Sequence, residues 1–255
     1  MIDVFSQHDL LLLLLVMLAG LYAGTQNVLA GGGSFITLPT LMLAGLNPLA
    51  ANITSTVGLF PNQVTSSIAG RKLAGGINTL SLKDLFFISI IGGVVGAILL
   101  LNTPVSIFTK LVPWLVLFAT AVFAWGSFVK KSNQIAKTYP IYLTKVIHFL
   151  LGVYGGYFGG GIGFLLLAFL TISGQQVRMA AATKNMLVMA MNASAVAIFA
   201  FSNQVDWLVG MALMVGAVSG GFLGNWLMHR LPEKILRLFI VVVGVVLTIW
   251  LFIKP

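Results

Sequence analysis

The sequence predicts an all-α polytopic membrane protein made of two repeats of opposite orientation. Its 255 residues are 59% hydrophobic and only 7% charged, a balance that water-soluble domains of this size do not have. Apolar runs of about 20 residues recur along the chain, the length that crosses about 30 Å of hydrocarbon at 1.5 Å per residue. A glycine triplet at 31–33 recurs at 159–161. Together these features predict a bilayer-spanning helical protein with internal duplication.

Eight long apolar segments and two short ones are expected. The short segments each follow a glycine triplet, and about a dozen helical residues reach only about 18 Å, so we expect partial or broken helices there. Non-helical backbone at membrane depth is tolerated only where protein or a water-filled cavity satisfies it, so such breaks usually line something. The long segments are 10–30, 51–70, 83–101, 105–129, 143–158, 180–201, 206–228 and 234–253, and the short ones are 34–45 and 162–173.

The duplication extends well beyond the glycine triplets. With one inserted residue, Gly45 and Thr54 fall on Gly174 and Thr183. Further along, glycines 92, 93 and 96 fall on glycines 220, 221 and 224, and Pro104 falls on Pro232. We therefore divide the chain into an N-terminal repeat, 1–130, and a C-terminal repeat, 131–255, within one membrane domain. Each repeat has four long helices and one short or broken helix.

The distribution of lysine and arginine predicts the orientation. Because positively charged loops stay in the cytoplasm, the three basic connections are placed there and the Lys- and Arg-free connections 102–104 and 202–206 outside. If the short segments cross the membrane, the first five segments together take the chain from the outside to the cytoplasm, and the next five take it back out. That arrangement is an inverted-topology repeat. The basic connections contain Arg71, Lys72, Lys83, Lys130, Lys131, Lys137, Lys145, His229, Arg230, Lys234 and Arg237.

Several classes of function are disfavoured by what the sequence lacks. It has no cysteine, three histidines far apart in sequence, and five acidic residues, none central to a predicted span. We therefore expect no enzymatic site, no metal and no cofactor. The basic residues are scattered between spans, so no nucleic-acid partner is expected. Coupling to protons or sodium through an intramembrane carboxylate is also disfavoured, although a backbone-carbonyl sodium site or a titrating His148 stays open.

The two breaks suggest a binding site for a small anion. Glycine permits close approach of backbone to a ligand, and a helix that begins there directs unpaired N–H groups at whatever occupies the break. Ser, Thr, Asn and Gln side chains, including Thr56, follow each break as further donors. The candidate substrate-binding residues are Gly31, Gly32, Gly33, Asn52, Thr54, Ser55, Gln63, Gly159, Gly160, Gly161, Arg178, Thr183, Lys184, Asn185 and Asn192.

Each of these residues also has a structural explanation. Glycines in membrane helices often serve close packing, and Ser or Thr hydroxyls often bond back to their own helix. Lys184 and Arg178 are functional candidates if the turn 173–180 lies at membrane depth, and ordinary snorkelling side chains if it reaches the surface. His148 is expected to be a packed or interfacial residue.

The first break resembles a known family. Gly31, Gly32, Gly33, Pro39, Gly45, Pro48, Ala51, Thr54 and Ser55 match the pattern of the TauE/SafE family of sulfite and organosulfonate exporters. The resemblance covers nearly the whole chain, although the second copy has Leu167 opposite the first proline and Lys184-Asn185 after Thr183. It implies transport of small anions, often sulfur oxyanions, across the bacterial inner membrane.

The functional hypothesis is therefore a transporter that exports a small sulfur-containing anion, such as sulfite or sulfoacetate, by alternating access. The alternatives are a carrier for another solute or a cation, and a structural membrane subunit that transports nothing. The expected partners are the anion and membrane lipid, with a second copy of the chain as a candidate. The expected location is the plasma membrane of a bacterium or archaeon.

Overall fold

The computed structural model describes residues 7–29, 32–77, 79–128, 140–227 and 233–253, which form ten α-helices. These parts of the chain contain no β-strand beyond one isolated bridge between Ile77 and Leu80. The helices are α1 (Gln7–Leu29), α2 (Ser34–Leu43), α3 (Pro48–Gly70), α4 (Leu82–Leu101), α5 (Val105–Phe128), α6 (Ile141–Tyr157), α7 (Ile162–Ile172), α8 (Val177–Phe199), α9 (Trp207–Leu227) and α10 (Glu233–Ile253).

The prediction of an all-α membrane protein is confirmed, because every predicted segment contains one helix that begins and ends close to the expected residues. Helices α1, α4, α5, α8 and α9 are long and apolar enough over their described residues to cross a membrane. Helix α3 is equally long but carries many Asn, Gln, Ser and Thr residues, and α6 has only 17 residues. The polar content of α3 is a first sign that it lies inside the protein.

The short helices α2 and α7 end in the same way. Gly45 and Gly174 both adopt φ of +95°, a left-handed conformation that glycine accepts without strain. In each case the next residue donates its N–H to a carbonyl five residues earlier, Leu46 to Leu41 and Gln175 to Leu170. This is the Schellman arrangement, and it stops each helix after 10 or 11 residues. The two predicted partial helices therefore have matching ends.

The helices pack as two equivalent sets of five. Helix α1 lies against α9, and its counterpart α6 lies against α4; α3 contacts α9 as α8 contacts α4. Helix α3 also contacts its own counterpart α8, and α5 contacts α10. The contacts of α1 to α5 thus correspond to those of α6 to α10, and helices of each set pack against helices of the other. A two-fold axis that relates the two sets stays a prediction. The opposite orientation of the halves across the bilayer stays a prediction.

Glycines make the closest helix contacts. A Cβ on Gly93 would lie 2.8 Å from the Met191 Cα, and one on Gly156 would lie 2.8 Å from the Gly93 Cα. At Gly24 of α1, a Cβ would lie 2.8 Å from the Ala217 carbonyl carbon of α9. Small residues let membrane helices approach this closely. These glycines within helices therefore allow close packing. The described glycines of the two breaks lie outside the helices, directly before α2 and α7.

Candidate functional site

One pocket lies where α2 and α7 begin and where α3 meets α8. Its volume is about 50 Å³, which holds a few water molecules at about 10–15 Å³ each. Both glycine breaks contribute to its wall, through Gly32 and Gly159. The lining residues are Asn27, Gly32, Ser34, Thr56, Leu59, Gln63, Ser66, Gly159, Ile162, Gly163, Lys184, Asn185, Val188 and Asn192.

Much of the pocket wall consists of residues that correspond between the two halves. The shift of 129 residues that places α3 on α8 also pairs wall residues with each other. It already applies at the starts of α2 and α7, because the Gly32 carbonyl accepts from Phe35 as the Gly161 carbonyl accepts from Phe164. Pro39 therefore corresponds to Ala168, and the prediction of Leu167 opposite it was wrong by one residue. The pocket therefore lies between corresponding segments of the two predicted repeats. The corresponding wall pairs are Thr56 with Asn185, Leu59 with Val188, Gln63 with Asn192, and Ser34 with Gly163.

Gln63 and Asn192, which correspond in the predicted repeat, meet in the pocket wall. The Asn192 side-chain amide donates to Gln63 Oε1 at 2.8 Å, although the two residues are 129 positions apart. Because each is the counterpart of the other, a hydrogen bond between them forms where α3 and α8 cross. The Gln63 amide NH₂ has no hydrogen bond to any residue that the structure describes. It is therefore a donor available to a ligand.

Lys184 brings a positive charge into this pocket. Its side chain is only 5% exposed, and it has no hydrogen bond or ion pair with a described residue. None of the lining residues is acidic. Asp84 and Asp206 are used elsewhere, as caps at the starts of α4 and α9. Since burying an unpaired ammonium group is costly, its position calls for a negative charge beside it.

Lys184 lacks a contact that its counterpart in the first half, Ser55, makes. Its counterpart Ser55 hydrogen bonds to Thr37 at 2.6 Å, which fastens α2 to α3. In the second half the position of Thr37 is taken by Leu166, a fully buried apolar residue of α7. Leucine offers no hydrogen-bond partner, so the polar end of a side chain at 184 finds none on α7. The departure of the second copy from the first thus makes the pocket asymmetric.

Asn27 is a polar residue of the pocket wall that was not among the predicted site residues. Its Oδ1 accepts a hydrogen bond from the Gly33 N–H at 2.9 Å, which leaves the amide NH₂ free of any partner among the described residues. Ser34, Ser66 and Gly163 were also missed. A carboxamide in the last two turns of an apolar helix, just before a break, was the signal that could have identified Asn27.

Backbone donors complete the wall. The N–H groups of Ser34 and Gly163, at corresponding positions in the first turns of α2 and α7, have no acceptor within the described ranges. Gly161 precedes α7 with φ of +76°, which permits the sharp turn into that helix. Helix starts with unpaired N–H groups favour anions. The pocket therefore combines two helix starts, one ammonium group and several amide donors.

Of the predicted site residues, six line the pocket: Gly32, Gln63, Gly159, Lys184, Asn185 and Asn192. Gly31 lies outside the described residues. Arg178 is exposed, six residues before Lys184 on α8, and lies away from the pocket. Gly160 accepts a hydrogen bond from the Tyr154 hydroxyl at 2.7 Å through its carbonyl oxygen.

The other predicted residues are bonded to protein outside the pocket wall. The Asn52 side chain donates to the Tyr157 carbonyl at 3.2 Å, and Ser55 bonds to Thr37. Thr54 and Thr183 are fully buried and bond to backbone atoms of two connecting loops. These contacts give each side chain a structural role.

His148 lies away from the pocket as a packed residue. Its Nε2 is 2.9 Å from the Leu85 carbonyl oxygen and 3.0 Å from Ser89 Oγ, and its ring stacks on Phe169. The side chain is fully buried between α4, α6 and α7. The interpretation of His148 as a packing residue fits this environment.

Comparison with known proteins finds a matching family model and several similar chains. A family model described as "Sulfite exporter TauE/SafE" matches residues 16–251. The chain is 30% identical to a "Probable membrane transporter protein ORF9" from Sinorhizobium sp., over 96% of this chain and 94% of the relative. It is 27% identical to a "Probable membrane transporter protein" from Haemophilus influenzae, with 93% of each chain covered. It is 26% identical to the "Probable membrane transporter protein YfcA" of Escherichia coli K12, over 93% of this chain and 88% of the relative. No solved structure matches.

Proposed function

Because the chain belongs to the sulfite exporter TauE/SafE family and is an integral membrane transport protein, we propose that it exports a small sulfur-containing anion such as sulfite or sulfoacetate. The observation that carries this proposal is the buried ammonium group of Lys184 in a pocket whose described lining residues include no acid. A negatively charged guest would balance that charge. The pocket wall would then act as the substrate site.

The geometry of the wall favours an oxyanion over a neutral solute. Lys184 supplies the charge, the Gln63 and Asn27 amides supply two donors, and the starts of α2 and α7 supply backbone N–H groups. Hydrogen bonds to a charged partner are roughly twice as strong as those between neutral groups. Several donors converging on about 50 Å³ suit a compact group with several acceptor oxygens, such as a sulfonate or sulfite.

The alternating-access part of the proposal rests on the position of the pocket. Inverted-repeat carriers rock one half against the other around a fixed site at their axis. The hydrogen bond between Gln63 and Asn192, and the corresponding residues of the wall, support a position of the pocket at such an axis. A structural membrane subunit gives no reason for an unbalanced lysine at such a position. We propose the bacterial or archaeal inner membrane as the location, with membrane lipid as surroundings and a second copy of the chain as a candidate partner.

The driving force is proposed to be the membrane potential alone. A potential that is negative inside expels each unit of negative charge with about 2.3 kcal/mol per 100 mV. None of the described residues that line the pocket is acidic and could bind a coupling cation through a carboxylate. In proteoliposomes, efflux of sulfite or sulfoacetate should accelerate when an internally negative potential is imposed and stay the same when only a proton gradient is imposed. Efflux that follows the proton gradient and ignores the potential would overturn uncoupled export.

Thermal stability of the purified protein can identify the substrate. Purified protein should be stabilised against heating by its anion, and saturating ligand at 100 times its Kd contributes about 2.7 kcal/mol. We expect sulfite, thiosulfate or sulfoacetate to stabilise more than acetate, taurine or ammonium. A stabilisation by cations and none by anions would favour a cation carrier, and no stabilisation by any small ion would favour a structural subunit.

Asn27→Asp tests the sign of the substrate charge. Aspartate has nearly the same shape and keeps an oxygen for the Gly33 N–H, but it replaces the free NH₂ with a second oxygen and adds a negative charge. We expect the affinity for the anion, measured from its stabilising effect, and the transport rate each to fall about tenfold or more. The reason is that the substitution removes a hydrogen-bond donor and adds a charge that repels the anion. Asn27→Ala, which removes the donor without adding charge, should have a smaller effect. Stronger binding of the anion by the Asp variant would contradict an anionic substrate at this pocket.

A further inference from the structure

Two threonines at corresponding positions of α3 and α8 each form hydrogen bonds to a loop that belongs to the other half of the chain. Thr183 Oγ1 accepts a hydrogen bond from the Gly75 N–H at 3.0 Å and donates one to the Gly75 carbonyl at 3.2 Å. Thr54 Oγ1 accepts a hydrogen bond from the Asp206 N–H at 3.1 Å. Gly75 belongs to the connection from α3 to α4, and Asp206 to the connection from α8 to α9. Each threonine therefore fastens a loop of the opposite half.

In an inverted repeat the two contacts would lie on opposite sides of the pocket. Thr54 and Thr183 each lie nine residues before the crossing pair, Gln63 and Asn192, which is about 13.5 Å along a helix at 1.5 Å per residue. In an inverted repeat the two helices run in opposite directions, so one contact lies toward each surface of a core about 30 Å thick. The distribution of basic residues places the Gly75 loop in the cytoplasm and Asp206 outside.

We propose that these contacts are the two gates of the transporter: Thr183 with Gly75 closes the cytoplasmic side of the pocket, and Thr54 with Asp206 closes the outer side. This proposal rests on alternating access but not on the identity of the anion. Opening one side requires its contact to break while the other holds. Thr183 directly precedes Lys184, so the cytoplasmic gate is attached to the residue that carries the pocket's charge.

The two gates have unequal strength. On the cytoplasmic side, Gln175 adds two more hydrogen bonds, from its amide to the Gly75 and Gly76 carbonyls at 2.7 and 2.8 Å. In the first half the position of Gln175 is taken by Leu46, whose side chain cannot donate a hydrogen bond. Among the described residues, four side-chain hydrogen bonds from the other half therefore hold the Gly75 loop, and one holds Asp206. We infer that the outer gate opens more readily.

The absence of cysteine from the sequence makes a direct test available. Ser66→Cys places one thiol in the pocket wall, and an impermeant thiol reagent then reports access from whichever face it is added to. Thr183→Val keeps the side-chain shape and removes the hydrogen bonds. It should raise labelling from the cytoplasmic face at least about fivefold, whereas Thr54→Val should raise labelling from the outer face.

Two further variants keep the test decisive. Gln175→Leu weakens the cytoplasmic gate without altering α8, so it should raise labelling from the same face as Thr183→Val even if the latter folds poorly. Thr171→Val is the control, because the Thr171 hydroxyl bonds only to carbonyls of its own helix, and labelling should stay unchanged. Unchanged labelling in the gate variants, equal increases from both faces, or an increase in the control would overturn the proposal. No anion is transported in this assay, so its outcome is independent of the proposed substrate.

Discussion

Replacing Lys184 with Met should reduce anion export about 10- to 150-fold while the folded protein stays in the membrane. Hydrogen bonds to charged groups contribute about 1.5–3 kcal/mol each, and about 1.4 kcal/mol is a factor of ten. Methionine fills a similar volume but carries no charge. Initial rates of sulfite or sulfoacetate efflux from proteoliposomes, at matched protein density, measure the effect.

The same substitution should leave the ligand-free protein at least as stable as before. In the native chain the Lys184 ammonium group is buried without a partner among the described residues, and removing such a charge lifts a desolvation cost. The melting temperature without anion should therefore be unchanged or higher, while the anion-induced increase disappears. These opposite responses separate a binding role from a structural one, because a structural lysine would lower the melting temperature.

Lys110→Met is the matched control, since Lys110 is exposed on α5 and lies outside the pocket wall. It removes the same charge with the same replacement and should leave transport and the anion-induced shift unchanged. If Lys184→Met transported normally, the assignment of the pocket as the substrate site would be wrong. A loss of transport in both variants would instead point to the overall positive charge of the protein.

The helices were predictable because their signals are long and local. Apolar runs of about 20 residues and glycines at the ends of the short segments placed all ten helices close to their observed bounds. The pairing of Gln63 with Asn192 was also within reach of the sequence, since the register that superposes Thr54 on Thr183 superposes these residues as well. Corresponding helices of an internal repeat that cross each other are expected to meet at corresponding residues, and Gln63 and Asn192 do.

The direction of individual polar side chains was not predictable in this way. Successive residues of a helix differ by about 100° around its axis, so Thr183 and Lys184 face different neighbours although they are adjacent. Thr183 turns to the Gly75 loop, and Lys184 turns to the pocket. The register of the repeat fixes which residues correspond, but only the packing of α3 and α8 against the loops decides which of them reach the pocket.

The differences between the halves are as informative as the likeness. Where the first half has the Thr37–Ser55 hydrogen bond, the second has Leu166 and Lys184. The second half lacks a counterpart of Asn27, because Gly155 stands there. A strictly symmetric pocket would offer two equal sets of ligands, whereas this one has its charge on α8 and a carboxamide on α1. Such asymmetry lets an outward-open and an inward-open state bind the same ligand with different affinity.

The second large effect is expected from Gly216→Ala in α9. Helix α9 packs along α1, and a Cβ on Gly216 would fall onto the Met17 carbonyl oxygen and lie 2.9 Å from the Leu21 nitrogen. Both neighbours are backbone atoms, so no side chain can rotate away and the two helices must separate. Overpacking typically costs about 1–3 kcal/mol, which exceeds the roughly 0.5–1 kcal/mol that alanine gains over glycine within a helix. We expect a lower melting temperature in detergent and a reduced yield of folded protein.

Gly210→Ala on the same helix isolates the cause of that loss. A Cβ on Gly210 would meet only the Thr54 methyl group, at an ordinary contact distance of 3.4 Å. Both variants add one methyl group to α9 and gain the same helix propensity, so they differ only in what the methyl group contacts. Gly210→Ala should therefore melt at or above the native temperature in fluorescence-detected gel filtration, and Gly216→Ala below it. Equal melting temperatures would mean that α1 and α9 can slide apart at little cost, and the close packing at Gly216 would then contribute nothing measurable to holding the two halves together.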